Sequence, residues 1–165
     1  SAMPGHDIWI YREERSISYS PVFGELSNGS PANEFQARAR LLPSQTGRIE
    51  GESIVARAGR DAQGAITFGP YLHLAPGRYR VEITYSWRAA PAPGRMAIFD
   101  AVLWNGSRAL SMFSAQVPFV DTAPHEFTRE VSVSDNDRWS FEVRTFYFAS
   151  GDLGIDSLKV TYLGE

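Results

Sequence analysis

The chain has 165 residues with 16 basic and 19 acidic side chains, a formal net charge of −3, and no cysteine. That length suits one domain with a core large enough to do without disulfides, and the missing cysteine excludes thiolate chemistry and a stapled framework. The slight acidic balance offers no field for a phosphate backbone, and no apolar run reaches the ~20 residues of a membrane-spanning helix, so neither nucleic acid nor membrane insertion is expected.

Ser1-Ala2-Met3 reads as a protease-cleavage scar, which leaves residues 4–165 as a single expected domain. A first strand is expected at 8–12, followed by a pattern-poor stretch over 14–33. From there, alternation by two dominates. Phe35, Ala37, Ala39 and Leu41 fall on one face of a strand, with Gln36, Arg38 and Arg40 on the other. Strands are also expected at 50–58 and 65–74, and Ala75-Pro76-Gly77 marks a turn. The clearest alternation follows, with Tyr79, Val81, Ile83, Tyr85 and Trp87 between Arg78, Arg80, Glu82, Thr84 and Ser86. Such a strand has one face in a core and one in water. Further strands are expected at 95–104 and 108–117, joined by the hairpin signal Asn105-Gly106. Strand 126–134 follows, and then Trp139, Phe141 and Val143 alternate with Ser140, Glu142 and Arg144. A final strand is expected at 154–163. About nine or ten short strands at this spacing predict an all-β fold, an antiparallel β-sandwich or jelly roll.

Catalytic signals are sparse. His6, His73 and His125 stand in no metal-ligand or nucleophile–base spacing, and no phosphate-binding glycine motif occurs. Paired acids such as Asp135/Asp137 and Asp152/Asp156 could serve a small glycoside hydrolase, but adjacent acids in turns are ordinarily just solvated. The chain is therefore not expected to be an enzyme. Lys159 is the one lysine against 15 arginines, which reads as a genomic habit. More informative are acids in phase with apolar positions: Asp156 with Leu158, Val160 and Tyr162, and Glu50 and Glu52 with Ile54 and Ala56. A carboxylate on a buried phase must be paired or must ligate a cation, and hard oxygen donors suit Ca²⁺; the other reading is that these acids reach solvent or an arginine.

The segments RIEGESIVARAG, AITFGPYLHLAPGRYRVEITYSW and GDLGIDSLKVTYLG resemble carbohydrate-binding modules of the galactose-binding-like jelly-roll type. Leu74-Ala75-Pro76-Gly77-Arg78-Tyr79-Arg80-Val81 and Ile155-Asp156-Ser157-Leu158-Lys159-Val160 carry the likeness, which covers roughly 48–165 and leaves 4–47 as an N-terminal extension. The resemblance implies a structural calcium at Glu50 or Glu52 and Asp156. It also implies a glycan site on loops between the sheets or on a sheet face. A sugar's C–H face lies flat on an aromatic ring while its hydroxyls seek planar polar groups. The candidates are Trp104 with Asn105 beside the hairpin, Trp87 leading into Arg88, Tyr147 and Phe148 ahead of Asp152, and Tyr71, in phase with outward His73. Trp87 and Trp139 also continue core phases. The expectation is a non-catalytic polysaccharide-binding module, part of a larger bacterial glycan-processing or export protein and placed outside the cell or in its envelope. The alternatives are an assembly domain that meets a protein partner and, less favoured, a small hydrolase or lyase.

Overall fold

The computed structural model describes residues 34–106, 108–121, 123–134 and 140–164; the strand expected at 8–12 and Trp139 lie outside them. Within the described residues there are eleven strands: β1 (Glu34–Arg38), β2 (Arg48–Glu50), β3 (Ser53–Arg57), β4 (Gly64–Thr67), β5 (Pro70–His73), β6 (Gly77–Ala89), β7 (Ile98–Asn105), β8 (Arg108–Gln116), β9 (His125–Val133), β10 (Ser140–Tyr147) and β11 (Asp152–Gly164). They form two antiparallel sheets. One runs β2-β3-β11-β6-β9, with β1 also on β11; the other runs β4-β10-β7-β8, with β5 also on β10. The chain is the antiparallel β-sandwich of the jelly-roll type that the alternation predicts.

The long strand β6 shows why. Tyr79, Val81, Ile83, Tyr85 and Trp87 all point inward and are at most 5% exposed. Opposite them lie Phe99, Ala101 and Leu103 of β7 and Phe141, Val143 and Tyr147 of β10. Aromatic rings knit the layers: Tyr85 meets Phe99 at 5.3 Å between centroids, and Phe99 meets Phe127 of β9 at 4.8 Å. Edge and tilted pairs of this kind add about 0.5–1.5 kcal/mol each to the burial itself. Buried hydroxyls find backbone acceptors, as Tyr79 Oη donates to Ala75 O at 2.6 Å and Tyr85 Oη to Pro118 O at 2.8 Å.

Four local events break the simple alternation. The run 50–58 is a hairpin, because the chain turns at Gly51, where φ is +67°, so Glu50 and Glu52 do not share a strand face. The run 65–74 divides at Phe68-Gly69 into β4 and β5, which lie end to end along β10. In β11, the pairing with β6 slips between Ile155 and Ser157. Asp156 is the extra residue of that bulge, so the inward phase passes from Leu153 and Ile155 to Leu158 and Val160. The expected strand over 35–41 ends early as well, in a 3-10 turn at Ala39–Leu41.

Candidate functional site

The outward face of the five-stranded sheet gathers groups that the sequence scatters over 74 positions of chain, from Tyr71 to Arg144. Register fixes the face. Phe141 pairs with Leu103, Val143 with Ala101 and Thr145 with Phe99, all inward, so Glu142 and Arg144 point outward with Val102 and Asp100. Trp104, two residues along from Val102, shares that face. On the other flank of β10, His73 pairs with Ser140, and a register shift leaves Tyr71 as an extra residue in β5. Tyr71 has φ +67°, a conformation costly for a bulky residue and found where surroundings over-determine it.

Glu142 is the centre. Its side chain leaves the core, yet the residue is 4% exposed. Trp104 Nε1 donates to its Oε1 at 2.6 Å, and Tyr71 Oη donates to its Oε2 at 3.0 Å. One carboxylate from β10 thus holds an indole from β7 and a phenol from β5. The next pair on the face is ionic: Arg144 Nε donates to Asp100 Oδ1 at 2.8 Å and Nη2 to Oδ2 at 2.6 Å, a two-pronged fork. These hydrogen bonds raise the Arg144 guanidinium further above its ordinary value, against the desolvation that lowers it. The Arg144 guanidinium also lies 5.1 Å from the centroid of Phe146 on the same strand. An aromatic and polar surface of this composition can offer ring faces to an apolar ligand surface and fixed acceptors to hydroxyls.

Of the expected ligand residues, Tyr71 and Trp104 are brought together here. Trp104 stands on the sheet face itself, at the end of β7, rather than on a loop tip. Asn105 closes β7 by pairing with Arg108 across the expected hairpin turn. The others are elsewhere. Trp87 is core, 5% exposed, with Nε1 donating to Pro118 O at 3.1 Å. Tyr147 is fully buried, its hydroxyl donates to Gly151 O at 2.7 Å, and burial pushes its pKa up to about 12. Arg88 and Asp152 belong to an ionic cluster on the opposite sheet. Glu142, Arg144 and Asp100 are site residues that the sequence alone does not single out. The first two are visible in the sequence as the wet phase of their strand, the one signal that could have found them.

The three acids expected around calcium stand in separate settings. Glu50 of β2 pairs with Arg57 at 2.9 Å, Arg88 at 3.5 Å and Arg60 at 3.6 Å. Glu52, on the β2–β3 turn, pairs with Arg40 at 3.0 Å. Asp156, on the bulge of β11, accepts from Ser53 Oγ at 2.5 Å. Among the described residues no three Asp, Glu or His side chains come together in a metal-holding group. This arrangement does not fit one calcium ion bound by these three residues. The Arg57 guanidinium instead reaches both Glu50 and Asp152 of β11, so an internal cation ties β2 to β11. The Arg57 hydrogen bond holds the Glu50 carboxyl below its ordinary value of 4.5. A carboxyl lowered in the fold contributes stability above that value and loses it as pH falls further, so the clamp is fully formed at neutral pH. At pH 7 the melting temperature is therefore expected to be the same in EDTA and in millimolar calcium. A rise of several degrees with calcium would show a metal binding the folded state.

No protein-family model and no curated protein sequence matches the chain. The chain is similar in structure to solved carbohydrate-binding modules. A CBM4 structure superposes with a TM-score of 0.50 at 14% identity, covering 86% of this chain and 94% of that one. The C-terminal CBM6 of LamC, a marine laminarinase from Zobellia galactanivorans, gives 0.49 at 14% identity, covering 78% and 99%. The CBM35 from Cellvibrio japonicus Abf62 gives 0.48 at 20% identity, covering 80% and 94%. The likeness to the CBM4 structure, at 14% identity, is one of fold: the chain has a jelly roll similar to that module's.

Proposed function

We propose that this domain is a non-catalytic saccharide-binding module whose site is the outward face of the five-stranded sheet. The observation that carries the reading is the Trp104–Glu142–Tyr71 arrangement, two rings from different strands pinned through one buried carboxylate. Prepositioned rings with fixed acceptors suit stacking on a sugar with hydrogen bonds to its hydroxyls, and they reduce the ordering cost of binding. The fold shared with the CBM4 structure supports the same reading. A non-catalytic role is supported by the two carboxylates of the face among the described residues: Glu142 is engaged by two ring donors and Asp100 by Arg144, rather than poised as acid and base. On this reading the domain delivers a larger bacterial glycan-processing or export protein to its polysaccharide outside the cell or in its envelope.

The test is affinity electrophoresis and calorimetry against soluble β-glucan, xylan and galactan. Retention by at least one is expected, with a dissociation constant on the order of 1 μM–1 mM. Trp104→Ala should weaken that binding at least ~10-fold, the equivalent of about 1.4 kcal/mol. Retention by none of the three, or a Trp104→Ala protein that binds as the wild type does, defeats the reading.

A second reading rests on β8. Among the described residues it forms an edge of its sheet, carries no charge between Arg108 and Gln116, and leaves Leu110 41% exposed. Such an edge is a template for pairing with another chain. Sedimentation would separate the two: an assembly domain sediments as a stable oligomer and binds no glycan.

A further inference from the structure

Among the described residues, the side chains of charged type that point outward from the five-stranded sheet are Asp100, Glu142 and Arg144, with His73 at the edge. Two carboxylates therefore share the face with a single guanidinium. A guanidinium in a glycan site is the natural receptor for a uronate, because its planar fork matches a carboxylate with two parallel hydrogen bonds. Here that fork is already filled from within. Asp100 takes Nε at 2.8 Å and Nη2 at 2.6 Å with its two oxygens, from the neighbouring strand and directly opposite Arg144 in register. The pair is partly sheltered, with side-chain exposures of 22% for Arg144 and 16% for Asp100, so solvent screens it less than it would a surface bridge.

We propose that Asp100 is a specificity-determining residue: it stands where a ligand carboxylate would stand on Arg144 and so restricts the face to uncharged glycans. The inference rests on the saccharide-binding reading above and adds the charge class of the ligand. A uronate approaching Arg144 meets a neutralised guanidinium and two fixed carboxylates, and like charges brought together at such a distance repel. A neutral sugar meets no such barrier. Its hydroxyls can donate to the lone pairs that Glu142 and Asp100 still offer, since an ionised carboxylate has about four acceptor sites. They can also accept from Arg144 Nη1, which takes no part in the fork.

The experiment compares neutral β-glucan, xylan and galactan with polygalacturonate, for the wild-type domain, for Asp100→Asn and for the double variant Asp100→Asn/Arg144→Gln. The readout is the ratio of uronate to neutral affinity, with circular dichroism and melting to confirm folding. The wild type is expected to retain on a neutral glycan and not on polygalacturonate. Asp100→Asn frees one prong and removes one negative charge, and should raise the ratio at least ~10-fold in a manner weakened by salt. The double variant should lose that gain. A wild-type protein that prefers polygalacturonate overturns the inference while leaving the sheet-face reading intact, and this comparison needs no variant to fold. A folded Asp100→Asn protein with an unchanged ratio overturns it too. A wild type that binds neither class brings down the saccharide reading and this inference with it.

Discussion

Glu142→Leu is expected to lower glycan affinity by about 10–100-fold, more than the loss of either ring alone. The leucine fills similar space but accepts nothing. The Trp104 indole N–H and the Tyr71 hydroxyl, which meet Glu142 at 2.6 and 3.0 Å, then lack their shared acceptor. Each loses a charge-assisted bond worth about 1.5–3 kcal/mol, and with it the constraint that sets its ring in the binding arrangement. Glu142→Gln separates packing from hydrogen bonding. Its amide oxygen still accepts from the indole, and its NH₂ can donate to the phenol oxygen, so its affinity should fall between the wild type and the leucine variant. Calorimetry against the best neutral glycan, with melting curves in parallel, reads both effects. A folded Glu142→Leu protein with wild-type affinity would show that the rings need no common anchor.

Gly151→Ala should be the most damaging of the conservative substitutions, destabilising the domain by about 3 kcal/mol. Gly151 turns the chain from β10 into β11 at φ +69°. A Cβ there would stand 2.7 Å from Ala89 O, 2.7 Å from Pro91 N and 2.9 Å from the Ala90 carbonyl carbon, and all three atoms are backbone that cannot swing aside. The left-handed conformation accounts for about 1–2 kcal/mol and the overpacking for about 1–3 more. The same turn carries the Tyr147 hydroxyl on Gly151 O at 2.7 Å and the Ala92 N–H on Ser150 Oγ at 2.7 Å, so a shift there spreads into the core. A fall in melting temperature of roughly 10 °C is expected for a domain of this size. Gly94→Ala is the control. Its φ is +79°, with no atom within 4 Å of the added carbon, so it carries the conformational cost alone. Equal losses for the two variants would remove the steric half of the explanation.

Much of the framework is legible in the amino-acid order. The five inward residues of β6 and the Asn105-Gly106 hairpin follow from alternation and turn chemistry, which are local. What alternation cannot supply is where its own phase slips. Gly51 converts a supposed strand into a hairpin, and the bulge at Asp156 moves the inward phase of β11 by one residue, so acids that seemed to share buried faces do not. The site was half legible for a related reason. Phase puts Glu142 and Arg144 on the side of β10 away from the core, but only the strand order sets β5 on one flank of β10 and β7 on the other, with Tyr71 and Trp104 converging on one carboxylate. That pairing brings residues 71 apart in sequence within 3.0 Å, and no local pattern encodes it.

The position of β11 has a consequence for biosynthesis. Eleventh in chain order, it lies in the interior of the six-stranded sheet, with β3 and β1 end to end on one edge and β6 on the other. A chain emerging from the ribosome can pair β6 with β9, and β7 with β8, as soon as each is made. It cannot join β1 or β3 to β6 until residues 152–164 have cleared the exit tunnel. Until then the strand that links β1 and β3 to β6 is missing from the sheet. The six-stranded sheet can therefore be completed only after its central strand has been made.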